Sequence, residues 1–255
     1  MERYFIQVSP EETHIQTFSG KDAEDKIKEQ NDLIYLDSDG GIHNVPKERW
    51  YSAQKYENLT WKGTLSSDDR NFDHMSKFED LICIKDYIKK AGSIIELGCG
   101  PFTNVRLYDT DANITLLDPL INNYLNIENC PYRDGKMKGR DVSLISSPIE
   151  EFNTSDKYDI IVMINVIEHC FSVDLIFNKI LEILKPGGIF IFSDVYFNEA
   201  EFVASRIYDA GHPLKLSEIR MNNFLSNFSN IFEKRYHKLH DQDWRNDVYF
   251  VGKKM

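Results

Sequence analysis

Long runs of lysine and arginine are absent from this sequence. Its 255 residues carry 30 Lys and Arg against 41 Asp and Glu, a formal net charge of −11. Sequence-independent binding to DNA or RNA relies on basic groups that neutralise phosphates, so the balance speaks against a nucleic-acid partner. Cysteine is scarce too. Cys83, Cys99, Cys130 and Cys170 show no metal spacing and no disulfide framework, which suits reduced thiols in a cytosol. The start, Met1-Glu2-Arg3-Tyr4-Phe5, lacks the apolar core of a signal peptide, and no stretch is long enough to span a bilayer. The expectation is a cytoplasmic protein with no membrane partner. No His-x-x-x-His, Cys-x-x-Cys or clustered acidic triad demands a metal, and none is expected. Internal repeats and low-complexity tracts are missing as well.

What is present begins at Ser93. Ser93-Ile94-Ile95-Glu96-Leu97-Gly98-Cys99-Gly100-Pro101 runs from apolar residues into an acid and then Gly-x-Gly. This reads as a short buried strand ending in a sharp turn. Gly98 and Gly100 allow torsions and a close approach that a Cβ would block. The next strand, Asn113–Leu117, ends on Asp118, 22 residues after Glu96. An acidic side chain there sits beside the glycine loop and can accept hydrogen bonds from a ribose. Strand, glycine loop, short helix, strand and acid form a nucleoside-binding half of a doubly wound α/β fold. A third glycine is lacking, since Phe102-Thr103 follow Pro101 and the next glycine is Gly135. A pyrophosphate cradle, and with it an NAD(P) oxidoreductase, is therefore disfavoured.

Glu96-Leu97-Gly98-Cys99-Gly100 resembles motif I of the class I S-adenosylmethionine-dependent methyltransferases. The resemblance continues through Leu117-Asp118, Tyr158–Val162, Val166-Ile167-Glu168-His169 and Leu184-Lys185-Pro186-Gly187-Gly188, in the family's order, over roughly residues 80 to 200. It implies a Rossmann-like doubly wound sheet of seven strands closed by a C-terminal antiparallel hairpin. Residues 1–72 would form an N-terminal extension and 73–255 the methyltransferase domain. The implied cofactor is S-adenosyl-L-methionine, with Glu96, Gly98, Cys99, Gly100, Asp118, Pro119 and Asn165 among its contacts. In the family an acid just past the third strand often meets the adenine amino group. Here Ser147 or Pro148 stands nearest that position, and the contact falls to the Ser147 hydroxyl, to backbone groups at Ile149 or to Glu150.

Along the chain, Leu33–Leu36 and Ile42–Val45 read as a small hairpin split by an Asp/Gly loop. Pro46 to Trp61 reads as a helix with Trp50, Ala53, Gln54, Glu57 and Trp61 on one face. Its pattern resembles the N-terminal helix of methyltransferases from bacterial surface-polysaccharide clusters, where it helps to close the site. Gln54 is accordingly a candidate cofactor contact. Asp73 to Lys90 reads as one further helix with an apolar stripe. Leu120–Ile127 is expected as a short helix and Cys130–Arg140 as a loop. Tyr158–Ile164 is an almost unbroken apolar run, suited to the centre of a parallel sheet. Val173–Leu184 is a helix, and Pro186-Gly187-Gly188 turns the chain into a strand at Ile189. Residues 196–217 form an irregular stretch where substrate specificity is expected. Ser217 caps a helix to Leu225, and Ile231–Lys238 and Val248–Lys253 are the terminal strands.

Methyl transfer is an in-line displacement at a sulfonium, and a hydroxyl acceptor must also lose a proton. His212 and His169 are the candidate bases, with Tyr196 and Asp194 beside them, because histidine titrates near working pH. A purely structural hydrogen bond is the competing role for His169. A magnesium site would want acids at the ends of the fourth and fifth strands, where only Asp194 stands, with Asn165 opposite. The reading is O-methylation of a hydroxyl on a sugar, a sugar nucleotide or a similar small metabolite by a monomer or homodimer. Arg206 and Lys215 are candidate partners for a substrate phosphate. N-methylation of a small (phospho)amine and a non-catalytic binder of the cofactor are the alternatives.

Overall fold

The computed structural model describes residues 3–6, 16–19, 37–62, 71–198, 207–208, 211–240 and 243–255. Seven strands form the main sheet: β1 (Ser93–Leu97), β2 (Asn113–Leu117), β3 (Ser143–Ile145), β4 (Tyr158–Ile164), β5 (Leu184–Tyr196), β6 (Phe228–His240) and β7 (Asp243–Lys254). Their order is β6-β7-β5-β4-β1-β2-β3. Strands β3 to β5 and β1 run parallel through β2, while β7 is antiparallel to both β5 and β6. The order reverses between β1 and β4, the place where open α/β sheets bind ligands beyond the carboxyl ends of their strands.

The apolar run of β4 explains its central place. Ile161 and Met163 face one core layer and Ile160, Val162 and Ile164 the other, so successive side chains fill both faces. On the first face lie α5 (Val173–Ile183) and α6 (Glu218–Leu225), joined by Phe177 stacked on Phe224 at 3.8 Å. Ser172 and Ser217 cap these helices, accepting from the N–H of Leu175 and Arg220 respectively. Above the carboxyl ends of the strands lies α1 (Lys47–Lys62), whose buried residues are Trp50 and Ala53.

The expected single helix over Asp73–Lys90 is broken. It consists of α2 (Asn71–Lys77), a 3-10 segment at Glu79–Ile84 and α3 (Lys85–Lys90). Glu79, Asp80 and Leu81 have φ of 52°, 53° and 54°, outside any right-handed helix. The break lets Phe78, Leu81, Ile84 and Ile88 all reach the core, while Ile82 and Tyr87 of the expected stripe are left exposed. After the glycine loop only a 3-10 turn forms, Asn104–Leu107, and the helix after Asp118 shortens to α4 (Ile121–Tyr124). The Cys130–Arg140 loop holds a small ribbon, Lys136–Met137 against Arg140–Asp141. Strand β5 starts at Leu184, which already pairs with Tyr158 before the register shifts, and the terminal strands are longer than expected.

Of the expected hairpin, Leu33–Leu36 lies outside the described residues. Ile42 and Asn44 instead bridge to Lys215 and Ser172. Arg3–Ile6 pairs with Gln16–Ser19 and, in parallel, with Ile207–Tyr208. Among the described residues no helix is long and apolar enough to cross a membrane.

Asp159 ties β4 to the start of β1. Its Oδ2 accepts from the N–H of Gly92 (3.0 Å) and Ser93 (2.9 Å) and from the Ser93 hydroxyl (3.1 Å), and Lys185 Nζ stands 2.7 Å from Oδ1. Burial pulls this carboxyl up, but the Lys185, Ser93 and Gly92 contacts outweigh it and hold it below its ordinary value. Such a group stabilises the fold above its unfolded pKa and loses that contribution as pH falls through its folded value. Asp159→Asn is expected to cost about 1–2 kcal/mol at neutral pH. The deficit should vanish as urea unfolding is followed below about pH 3.8; a deficit unchanged in acid would mean the charge is irrelevant.

Candidate active site

The site is built outward from Glu96, at the end of β1. Its buried carboxylate accepts from the Thr103 hydroxyl, from Asn104 N–H and Nδ2 at 2.9 Å each, and from Val105 N–H at 3.3 Å. Burial pushes the carboxyl up against these contacts. The glycine loop between is drawn into a fixed shape. Gly98 has φ of +68°, and a Cβ there would stand 2.5 Å from Val166 Cγ1. The N–H groups of Gly98 and Cys99 both donate to Leu117 O, at 2.7 and 3.2 Å. Gly100 has φ of +54°, with nothing within 4 Å of where a Cβ would be. Its N–H donates to Asp118 Oδ2 (3.1 Å), and its carbonyl accepts from Tyr132 Oη (2.5 Å). Asp118 Oδ1 accepts from Leu120 N–H at 2.8 Å.

This loop opens on a cavity of about 490 Å³, within the usual range for small-ligand sites. Gly98, Cys99, Gly100, Asp118, Pro119, Pro148, Ile149 and Glu150 line one end. The other end is formed after β4. Asn165 has φ of +58°, and the N–H groups of Val166 and Ile167 donate to Asp194 Oδ2 at 3.0 and 2.8 Å. The turn that follows carries Glu168 and His169. His212 arrives from the stretch before α6, its ring 4.6 Å from that of His169 and its Nε2 3.5 Å from Glu168 Oε1. Leu214 N–H donates to Glu168 O (3.3 Å), which docks this stretch on the turn.

Helix α1 roofs the cavity. Trp50 Nε1 and Gln54 Nε2 both donate to His169 O, at 3.1 and 2.9 Å. Trp61 Nε1 donates to Glu57 Oε1 (2.5 Å), and Glu57 Oε2 lies 3.7 Å from His169 Nδ1.

The lining is strongly acidic. Among the described lining residues are seven carboxyl groups, from Glu57, Asp73, Asp118, Glu150, Glu168, Asp194 and Asp247, against one lysine, Lys77. Lys77 is itself paired with Asp73 at 2.6 Å. Burial, with the charges of Glu57 and Glu96 nearby, pushes Asp118 up to about 7. Burial and the charge of Glu168 do the same for Asp194, also to about 7. Burial likewise pushes Glu150 up; its Oε1 accepts from Phe171 and Ser172 N–H, and its Oε2 is buried without a hydrogen bond.

The structure therefore gathers Gly98, Cys99, Gly100, Asp118, Pro119, Ile149, Asn165, Gln54, His169 and His212 around one cavity. Glu96 stands behind the loop with its carboxylate engaged. Ser147 lies outside the lining and donates to Pro148 O. Tyr196 is buried in the core on β5, its ring beneath the Arg235 guanidinium, and does not line the cavity. Lys215 is buried over the Phe197 ring, and Arg206 lies outside the described residues. Sequence reasoning gave no site role to Tyr132, or to Asp73, His74, Asp247 and Tyr249. The last four reach the cavity from α2 and β7 and have no local motif.

A parallel sheet in this order, closed by an antiparallel pair and carrying a glycine loop after its first strand, is the Rossmann-like fold of class I methyltransferases. Residues 88–243 match a family model described as a methyltransferase domain, and the chain belongs to that family, whose cofactor is S-adenosylmethionine. Over 103 residues, 40% of the chain, it is 30% identical to the ubiquinone biosynthesis O-methyltransferase of Rickettsia canadensis (strain McKiel), and covers 42% of that protein's length. Among solved structures, N-methyltransferase NodS from Bradyrhizobium japonicum WM9, in complex with S-adenosyl-L-homocysteine, aligns with a TM-score of 0.57. Identity is 13%, over 81% of this chain and 98% of that one. TehB from Haemophilus influenzae aligns with a TM-score of 0.53 at 16% identity, over 72% of this chain and 67% of TehB. At these identities the structures speak for the fold.

The cavity fits that cofactor on two counts: the space beside Gly100 is open to a ligand, and an acidic lining suits a sulfonium. Gly100→Ala is expected to fold and to bind S-adenosylhomocysteine at least about tenfold more weakly, a loss of ~1.4 kcal/mol. Unchanged affinity in calorimetry would remove the loop from the ligand's path. The preference for the cationic methyl donor over S-adenosylhomocysteine, whose thioether sulfur is uncharged, should also grow as pH rises through about 7, where Asp118 and Asp194 ionise. A ratio of affinities flat in pH would show that neither carboxylate senses the sulfonium.

Proposed function

We propose that this protein transfers a methyl group from S-adenosylmethionine to a hydroxyl of a small metabolite, with the Glu168, His169 and His212 cluster drawing off the hydroxyl proton. The observation that carries the reading is the meeting of two histidine rings, 4.6 Å apart, in the cavity that also contains the glycine loop. Gly98 to Gly100, Asp118, Pro119 and Ile149 would hold the cofactor, with Asp118 accepting from the ribose. The cofactor supplies an electrophilic methyl on a sulfonium. The chain's own part is to position and deprotonate. Glu168 orients His212 through the 3.5 Å contact, and the α1 contacts to His169 O fix the turn that carries the second imidazole.

The helix pattern from Arg49 to Trp61 supports a sugar as acceptor, and the charge of the lining narrows the choice. Even with Asp118 and Asp194 protonated up to about pH 7, the remaining carboxyls outnumber the one paired lysine and would repel a diphosphate, so a neutral sugar or polyol suits the site better than a sugar nucleotide. The same acidity favours a second reading, N-methylation of an amine that is drawn in among Glu57, Trp50 and Trp61 as its cation and reacts as the neutral form once its proton has left to solvent.

His212→Ala is expected to lower kcat by about 10²- to 10⁴-fold, the usual worth of a positioned acid or base, with affinity for S-adenosylhomocysteine retained. An amine presented neutral needs no such base, so a variant with full turnover, or a product methylated on nitrogen by mass spectrometry, would exchange the first reading for the second.

A further inference from the structure

We propose that Glu168, His169 and His212 form a binding site for a divalent metal ion that accepts mixed nitrogen and oxygen donors, Zn²⁺ first and Mn²⁺ second. One carboxylate oxygen and two imidazole nitrogens of these residues all lie within 4.8 Å of one another. Ligand bonds of about 2.0–2.2 Å put donors roughly 3 to 4 Å apart, so a small rotation about the side-chain torsions completes the set. Mixed imidazole and carboxylate donors select such an ion over Mg²⁺ or Ca²⁺, which prefer oxygen.

Three further observations support the site. His169 Nδ1 is buried and makes no hydrogen bond, its nearest acid being Glu57 Oε2 at 3.7 Å. Glu57 is thus placed to serve as a fourth ligand or to orient the imidazole. The surroundings are short of positive charge, since Asp194 and Glu57 flank the cluster and the one described lining lysine is paired with Asp73. The backbone is also fixed before any ion arrives. His169 O is held by Trp50 and Gln54, and Leu214 N–H is held by Glu168 O. The other donor group, Asp37, Asp39 and His43, is a weaker candidate. His43 Nδ1 is 2.6 Å from Asp37 Oδ2 and its Nε2 accepts from Ser217 N–H, so both ring nitrogens are engaged.

With such an ion bound, the two imidazoles would act as its ligands and not as bases; the ion would supply Lewis acidity that lowers the pKa of a coordinated hydroxyl, whose proton would leave to solvent. The binding claim itself is independent of the acceptor.

The test is calorimetric titration of the full chain, stripped with chelator, with Zn²⁺ and with Mn²⁺. Electron paramagnetic resonance of Mn²⁺ serves as the second readout. One ion per chain is expected, bound at least about tenfold more weakly by His169→Ala and by His212→Ala. Retained binding of S-adenosylhomocysteine shows that these variants are folded. No stoichiometric binding to the wild-type chain, or binding indifferent to both histidines, overturns the proposal, as does binding lost instead in Asp37→Asn. An ion bound as expected by a protein that methylates nitrogen would overturn the hydroxyl reading and leave the metal site standing.

Discussion

Taking a carboxylate out of water costs several kcal/mol unless hydrogen bonds replace the hydration, and four of them offset part of that cost at Glu96. All four come from residues 103 to 105, so the acid at the end of β1 fixes where the chain must be a few residues later. Two of the donors are the N–H groups of Asn104 and Val105, which open the 3-10 turn and have no partner within it, so the carboxylate caps that turn. With both ends fixed, the glycine loop between has little freedom left. Gly98 can then lie against Val166, and Gly100 can donate to Asp118. Val166 opens the turn that carries Glu168 and His169, so the two ends of the cavity share this contact.

The second constraint is electrostatic. Asp118 and Asp194 both stay protonated up to about pH 7, well above the value of an unfolded aspartate. The folded chain therefore holds protons that the unfolded chain has released, and stability falls as pH rises from about 4 to about 7. The structure accepts this cost at the site, which is where a protein is expected to depart from its own stability optimum. A bound cation reverses the sign, because it favours the ionised carboxylates that the empty cavity disfavours. Sulfonium and metal ion are alike in this respect. Each would release protons on binding, and each would bind best above about pH 7, where both carboxylates are ionised.

Several parts of this arrangement were legible in the residues alone. The β1 to Asp118 unit could be read because it is local: apolar run, glycine turn and acid follow one another within a single unit of the fold. Strand β4 could be read because it fills both faces of the sheet and carries an unbroken apolar run, and α6 because Ser217 announces its cap. The helix break at Glu79–Leu81 could not. No proline or glycine marks it, and the three left-handed residues are set by the packing of Phe78, Leu81 and Ile84. Nor could the burial of Tyr196, which reads as a polar residue at a strand end but sits in the core beneath Arg235.

The metal donors show why a site can be hidden while its members are in plain view. Glu168 and His169 are neighbours, but His212 is 43 residues away, and nothing in its own surroundings names a partner. What brings it to the turn after β4 is backbone pairing. Lys215 and Ile42 exchange two hydrogen bonds of 2.9 Å, and Leu214 donates to Glu168. The chain ahead of the sheet is thus fastened to the stretch that brings His212 to the cavity, and α1, a few residues on, holds the carbonyl of His169. Part of the wall around His169 and His212 is set by segments that lie outside the shared sheet. Two chains with the same glycine loop and the same sheet can therefore present different acceptor sites, and Ile42 and Lys215 matter to this one although neither touches the cavity.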